Sequence, residues 1–158
     1  MRKSLIALIG TLALGGVALW FVSSPRGVSI GGVDFGGAER RWLAERTADF
    51  LEDLQFKDFD TASKYHLAAD REKRDIPAMI QSRFGIKHEV LDITRYEILE
   101  VDLDRAKTRA RVRSLVHFHV LGDKLVRDDK ESSRDVEMLL YWFRDAAGQW
   151  TMELSSSL

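Results

Sequence analysis

The sequence predicts an α+β domain behind an N-terminal transmembrane helix, and three observations carry that prediction. An uncharged apolar run, Leu5 to Val22, stands near the start. From Glu39 to Gly85 apolar residues recur at helical spacing. Beyond Gly85 the period changes to two, the signature of half-buried strands. Helices first and strands afterwards point to about three helices packed on one face of a curved antiparallel sheet.

The apolar run, LIALIGTLALGGVALWFV, has 18 residues and follows Arg2 and Lys3. At a helical rise of ~1.5 Å per residue it reaches about 27 Å, close to a hydrocarbon core of ~30 Å. The basic flank assigns Met1 to the cytoplasm and Arg26 onward to the outside. A retained anchor is favoured over a cleaved signal peptide, because the run is longer than an ordinary signal core and Val22-Ser23-Ser24 is a poor cleavage site. Ala7, Thr11 and Gly15 fall at i, i+4 and i+8 and form a small-residue stripe suited to helix packing in a membrane. The expected organisation is a signal-anchor over residues 1–24, a glycine-rich linker over 25–38 and one folded domain over 39–158.

Charge and composition narrow the function classes. The two bases ahead of the run leave 22 Lys and Arg against 25 Asp and Glu, three negative charges net beyond it. Nucleic acid is therefore not the expected partner. The chain has no cysteine, which removes disulfide, thiolate and Cys-zinc chemistry.

SSPRGVSIGGVDFGGA, residues 23–38, reads as a linker, although Val28, Ile30, Val33 and Phe35 are apolar enough to dock as a short extended segment. In the first helix Trp42, Leu43, Phe50, Leu51 and Leu54 share one half of the surface, with Arg46 and Asp53 intruding at its edge. Lys57 to Asp60 breaks it, and Asp60 or Thr61 is placed to cap a second helix through Ala62, Tyr65 and Leu67. Asp75-Ile76-Pro77 opens another, with Met79, Ile80 and Phe84 as its buried face, while the charged stretch from Ala68 to Arg74 takes no assignment. Glu89 to Ile93 and Leu99 to Leu103 read as strands, and Asp104-Arg105 as a turn. In the next strand Ala110, Val112, Ser114, Val116, Phe118 and Val120 face one side, and Arg109, Arg111, Arg113, Leu115, His117 and His119 the other. Val136 to Phe143, apolar on both faces, reads as a central strand, with a hairpin turn at Asp145 to Gly148 and a last strand in Gln149 to Leu154.

FLEDLQFKDFDTASKYHL, Phe50 to Leu67, resembles the opening of the nuclear transport factor 2-like or SnoaL-like superfamily, where two helices joined by a K/G-D-[FY]-x-x-A turn precede a bent sheet. YWFRDAAGQWTMEL, Tyr141 to Leu154, is similar to that superfamily's final hairpin, so the resemblance covers about Glu39 to Leu154. It implies a cone-shaped domain with a pocket between helices and sheet, on a fold that hosts isomerases, dehydratases, binding proteins and structural subunits.

No catalytic, metal or cofactor motif is recognisable, and none is assigned. Asp92 is the carboxylate to inspect if it faces the cone, though a solvated strand position is the more ordinary role. His117 and His119 share a face as a metal pair needs, but spacing supplies no third ligand. Arg109, Arg111 and Arg113 extend that face into a basic stripe that can meet a partner or an anionic surface, or pair with Glu97, Glu100, Asp102 or Glu137 on neighbouring strands. Trp142 and Trp150 read as core. The expected function is a non-catalytic, single-pass accessory or structural subunit of a bacterial membrane protein complex, in the inner membrane with its domain in the periplasm. The alternative is a periplasmic small-molecule-binding or isomerase/dehydratase-like enzyme using the cone pocket.

Overall fold

A computed structural model describes residues 28–29, 35–83, 87, 89–120 and 133–154. The elements are β1 (Val28–Ser29), α1 (Ala38–Gln55), α2 (Phe59–Ser63), α3 (Ala68–Lys73), α4 (Ile76–Arg83), β2 (Leu91–Leu103), β3 (Arg109–Val120), β4 (Ser133–Arg144) and β5 (Trp150–Met152). The sheet order is β1-β2-β3-β4-β5. β2 to β5 form an antiparallel meander, and β1 joins its edge parallel to β2 opposite Tyr96 and Glu97.

The long apolar faces explain why α1 lies on the sheet. Leu43, Phe50, Leu51 and Leu54 are buried against Ile93, Tyr96, Ile98, Val112, Val116 and Leu140 from the strands. At ~25 cal/mol per Å² of apolar surface removed from water, this face contributes most of the stabilisation that offsets chain entropy. Two polar anchors cross the layer: Trp142 Nε1 donates to Thr47 Oγ1 at 3.1 Å, and Gln55 Nε2 donates to the Ile93 carbonyl at 2.8 Å. Burial of Thr47 and Gln55 is affordable because each meets a partner.

Local chemistry sets the boundaries. Asp58, not Asp60 or Thr61, caps α2, accepting from the Thr61 amide at 3.0 Å. Asp75 accepts from the Ala78 amide and starts α4, whose Ile76 and Ile80 are fully buried. The unassigned charged stretch forms α3, a helix with no buried residue. Asp104 closes the β2–β3 turn by accepting from the Thr108 and Arg109 amides, which hold its carboxyl below the usual range against the opposing effect of burial. Asp145 closes the last hairpin by accepting from the Ala147 and Gln149 amides, and Gly148 takes φ 77° there.

Several expectations need correction. The proposed anchor Leu5 to Val22, with Ala7, Thr11 and Gly15, lies outside the described residues. Among the described residues no helix is long and apolar enough to cross a membrane. α1 is long enough at 18 residues, but Glu39, Arg40, Arg41, Glu45, Arg46, Asp49, Glu52 and Asp53 give it a charged side. The expected fold, a transmembrane helix followed by a cone of about three helices on a sheet, gives way, among the described residues, to a four-strand antiparallel meander with four helices and a short parallel edge strand. The two expected strands between Glu89 and Leu103 are one, because register shifts near Thr94 and Leu99 break the alternation without ending the pairing. β4 is central only at its end: β5 pairs with Trp142, Phe143 and Arg144, and Val136 and Leu139 are exposed. Where a cone pocket was expected, Phe118, Met138 and Trp142 are buried in the core.

Candidate functional site

The sheet has one face under the helices and one face away from them, and alternation along β3 sends Arg109, Arg111, Arg113, Leu115, His117 and His119 to the second. The two bulges of β2 keep its acids on that same face, so Asp102 stands opposite Arg111 and Glu100 opposite Arg113. Arg111 Nε lies 3.2 Å from Asp102. Arg113 reaches both ways, to Glu100 at 3.0 Å and to Glu137 on β4 at 3.5 Å. These side chains are two-fifths to a half exposed, so each pair contributes little to stability and mainly orients the guanidinium groups. Arg109 stands opposite Phe143 across the ladder, and its charge helps to hold the Asp104 carboxyl below its ordinary value.

His117 is tied on both sides. Arg95 Nη2 lies 2.9 Å from Nε2, and Asp135 contacts Nδ1. A guanidinium only donates, so Nε2 accepts, and Nδ1 carries the proton that it gives to Asp135. His119 Nδ1 lies 3.0 Å from Ser133 Oγ. Both rings are engaged by neighbours on adjacent strands, and among the described residues no group of three His, Asp or Glu is placed to hold a metal. Asp92 pairs with His119 in the ladder, on the face away from the helices and not toward the interior. Along β4 the face continues into Leu139, Tyr141 and Phe143, which are exposed or half-buried.

Sequence reasoning missed a polar group on the helix side. Asp53 and Tyr65 interact through the Tyr65 hydroxyl, and Tyr96 lies close enough to feel the Asp53 charge. Asp53 Oδ2 and Tyr96 Oη are buried without hydrogen-bond partners. Burial, with the charges of Asp53 and Asp49, pushes the Tyr65 hydroxyl up to about 12, and burial raises Tyr96 further. Asp53 is itself raised, first by burial and then by Asp58, Asp49 and Glu52, against the lowering effect of Tyr65. The signal available in the sequence was the intrusion of Asp53 at the edge of the apolar half of α1.

A folded pKa above the unfolded one means that the contribution to stability is complete below the unfolded value of about 3.9 and is lost as pH rises through the folded value. Asp53→Asn keeps an acceptor for Tyr65 and removes the charge. The variant should therefore melt at a higher temperature than wild type at pH 7, the difference shrinking toward zero near pH 3. Thermal melts across that range check it, and a difference independent of pH would contradict the assignment.

A surface groove of about 560 Å³ lies between α2 and α4, lined by Lys57, Asp58, Phe59, Asp60, Pro77 and Glu89 among others. Lys57 Nζ donates to the Glu89 carbonyl there at 3.4 Å. The groove is open to solvent and holds none of the candidate site residues drawn from the sequence.

No protein-family model and no curated protein matches the chain. Among solved structures it is similar to the solution structure of a SEC-C motif containing protein from Rhodopseudomonas palustris, at 15% identity and a TM-score of 0.47, covering 68% of this chain and 71% of that one. The expected membership of the nuclear transport factor 2-like or SnoaL-like superfamily, behind a transmembrane anchor, is corrected: no family model of that kind matches the chain, and among the described residues no helix is long and apolar enough to cross a membrane. The two short stretches that carried the resemblance encode a helix-turn-helix opening and a hairpin, local solutions that unrelated chains share.

Proposed function

We propose that the folded domain is a non-catalytic accessory or structural subunit that docks onto a larger assembly through the sheet face not covered by helices. One observation carries this reading. β2, β3 and β4 contain six arginines and no lysine, and on the uncovered face Arg109, Arg111 and Arg113 run beside Leu139, Tyr141 and Phe143. Protein interfaces favour arginine and aromatic residues and disfavour lysine, because a planar guanidinium stacks and forks onto a partner while losing less hydration than an ammonium. The occupant that fits is a protein strip with carboxylates opposite Arg109 and Arg111 and an apolar side chain opposite Leu139 to Phe143. Location of that assembly at a membrane, with the domain outside the cytoplasm, is part of the proposal and rests on the sequence of residues 5–22 alone. A small-molecule site inside the domain has less support, since Phe118, Met138 and Trp142 occupy the interior.

The test is gentle extraction of the tagged full-length protein from its native cell, followed by identification of co-purifying proteins. Wild type should recover a defined set in stoichiometric amounts. Arg111→Glu/Arg113→Glu, which sets like charges opposite Asp102, Glu100 and Glu137, should reduce recovery by about tenfold or more, the loss expected when charges at an interface core are reversed. Recovery of the same set by the double variant, or a wild-type protein that purifies alone as a monomer, would overturn the proposal.

A further inference from the structure

On the helix side of the domain two aromatic rings, Trp42 and Tyr65, each stand edge-on to a third, Trp142, and a cation lies over the first two. Trp142 is the floor, 2% exposed and fixed by its indole bond to Thr47. Trp42 stands edge-on to it at 6.4 Å and 71°, and Tyr65 at 6.2 Å and 86°. The guanidinium of Arg46 lies 5.7 Å from the Trp42 centroid and 5.8 Å from that of Tyr65. Trp42, at 39% exposure, is open for a tryptophan, although Leu43 and Ala44 beside it are fully buried.

Carboxylates complete the surroundings. Asp49 meets Arg46 at 3.3 Å, and Asp53 is joined to the Tyr65 hydroxyl with its other oxygen buried and unpartnered. Trp42, Arg46, Asp49 and Asp53 sit at i, i+4, i+7 and i+11, a single stripe along α1. Aromatic faces are negative and attract cations most strongly when water is partly excluded. Arg46 and Asp49 are each half exposed, so the cation over the rings is held from the solvent side by a flexible side chain and a weak surface pair.

We propose that Trp42, Tyr65 and Trp142 form a binding site for a guanidinium-bearing ligand, the arginine side chain of a peptide, and that Arg46 is a built-in occupant which the ligand displaces. The chain's own guanidinium shows which chemistry the rings accept. Asp49, released from Arg46, receives the incoming charge, and Asp53 fixes the Tyr65 ring through its hydroxyl. Displacement is made feasible by the small worth of the Arg46–Asp49 pair and by the freedom of a solvent-exposed arginine to swing away. The site is separate from the uncovered sheet face and does not depend on its proposed role.

The experiment titrates N-acetyl-arginine amide into full-length wild type and Arg46→Ala, following the indole N–H resonances of Trp42 and Trp142. Alanine is the best helix former, so removal of an exposed arginine from α1 should leave the fold intact, which the dispersion of the remaining resonances reports. Arg46→Ala should show saturable shifts at both indoles and bind about tenfold more tightly than wild type, where the tethered side chain competes at high effective concentration. N-acetyl-citrulline amide, of the same shape without the charge, should produce no saturable shift, and Trp42→Ala added to Arg46→Ala should abolish the response to the arginine ligand at Trp142. Arg46→Gln should behave like Arg46→Ala. A linear, non-saturating response in Arg46→Ala, an equal response to the citrulline compound, or binding undiminished by Trp42→Ala would each overturn the proposal.

Discussion

Trp142→Ala should lose about 3–5 kcal/mol of unfolding free energy, enough to threaten folding at 37 °C in a domain of this size. The indole joins three parts of the molecule. It lies on β4, packs edge-on against Trp42 of α1 and Tyr65 beyond α2, and pairs with Ala110 and Met152 across the sheet. Truncation leaves a cavity under all three contacts and strips Thr47 of its donor at a fully buried position. Trp142→Phe separates the two effects. It keeps much of the ring packing and removes the hydrogen bond, so it should cost roughly 1–2 kcal/mol, close to the penalty for an orphaned buried hydroxyl. Urea denaturation of both variants measures the difference. Equal losses would mean that the indole N–H, and not the ring volume, holds α1 to the sheet.

The same residue shows what could be read in advance. The strict alternation of β3 and the apolar run of β4 made both strands and the burial of Trp142 legible, because a side-chain period of two is a local property of the chain. The bulges near Thr94 and Leu99 were not legible, since an extra residue in a strand is decided by the partner across the ladder. α3 escaped notice for another reason: it buries nothing, so periodicity had no apolar face to detect. Periodicity placed Trp42 on the apolar half of α1 with Leu43, Phe50, Leu51 and Leu54, yet tertiary packing leaves its ring open, with the Arg46 guanidinium over it. The acids facing Arg111 and Arg113 were predictable as neighbours, whereas the clasp of His117 between Arg95 and Asp135 needs the exact register of three strands.

His66→Phe should stabilise the domain by about 1–2 kcal/mol at neutral pH, the usual cost of leaving buried polar atoms without partners. His66 is 2% exposed, lies edge-on to Phe50 at 6.3 Å, and neither ring nitrogen has a hydrogen-bond partner. The adjoining backbone is fixed regardless of the side chain, because the Met152 amide donates to the Tyr65 carbonyl at 2.8 Å beside the His66–Met152 bridge. Burial holds the imidazole below its ordinary pKa, outweighing the nearby Ser63 and Ala62 carbonyls and the Asp70 charge, which favour protonation, while Arg71 adds to the lowering. Near pH 6.5 the unfolded chain therefore takes up a proton that the folded chain refuses. Stability from the neutral ring is fully present above that value and falls as pH drops toward the folded pKa. The phenylalanine variant has no proton to gain, so its advantage over wild type should widen between pH 7 and pH 5. Urea midpoints at half-unit steps across that interval give the two curves. Parallel curves would show that the ring at position 66 is not the source of the acid sensitivity, and a variant less stable at pH 7 would show that the added ring atom is not accommodated against Phe50.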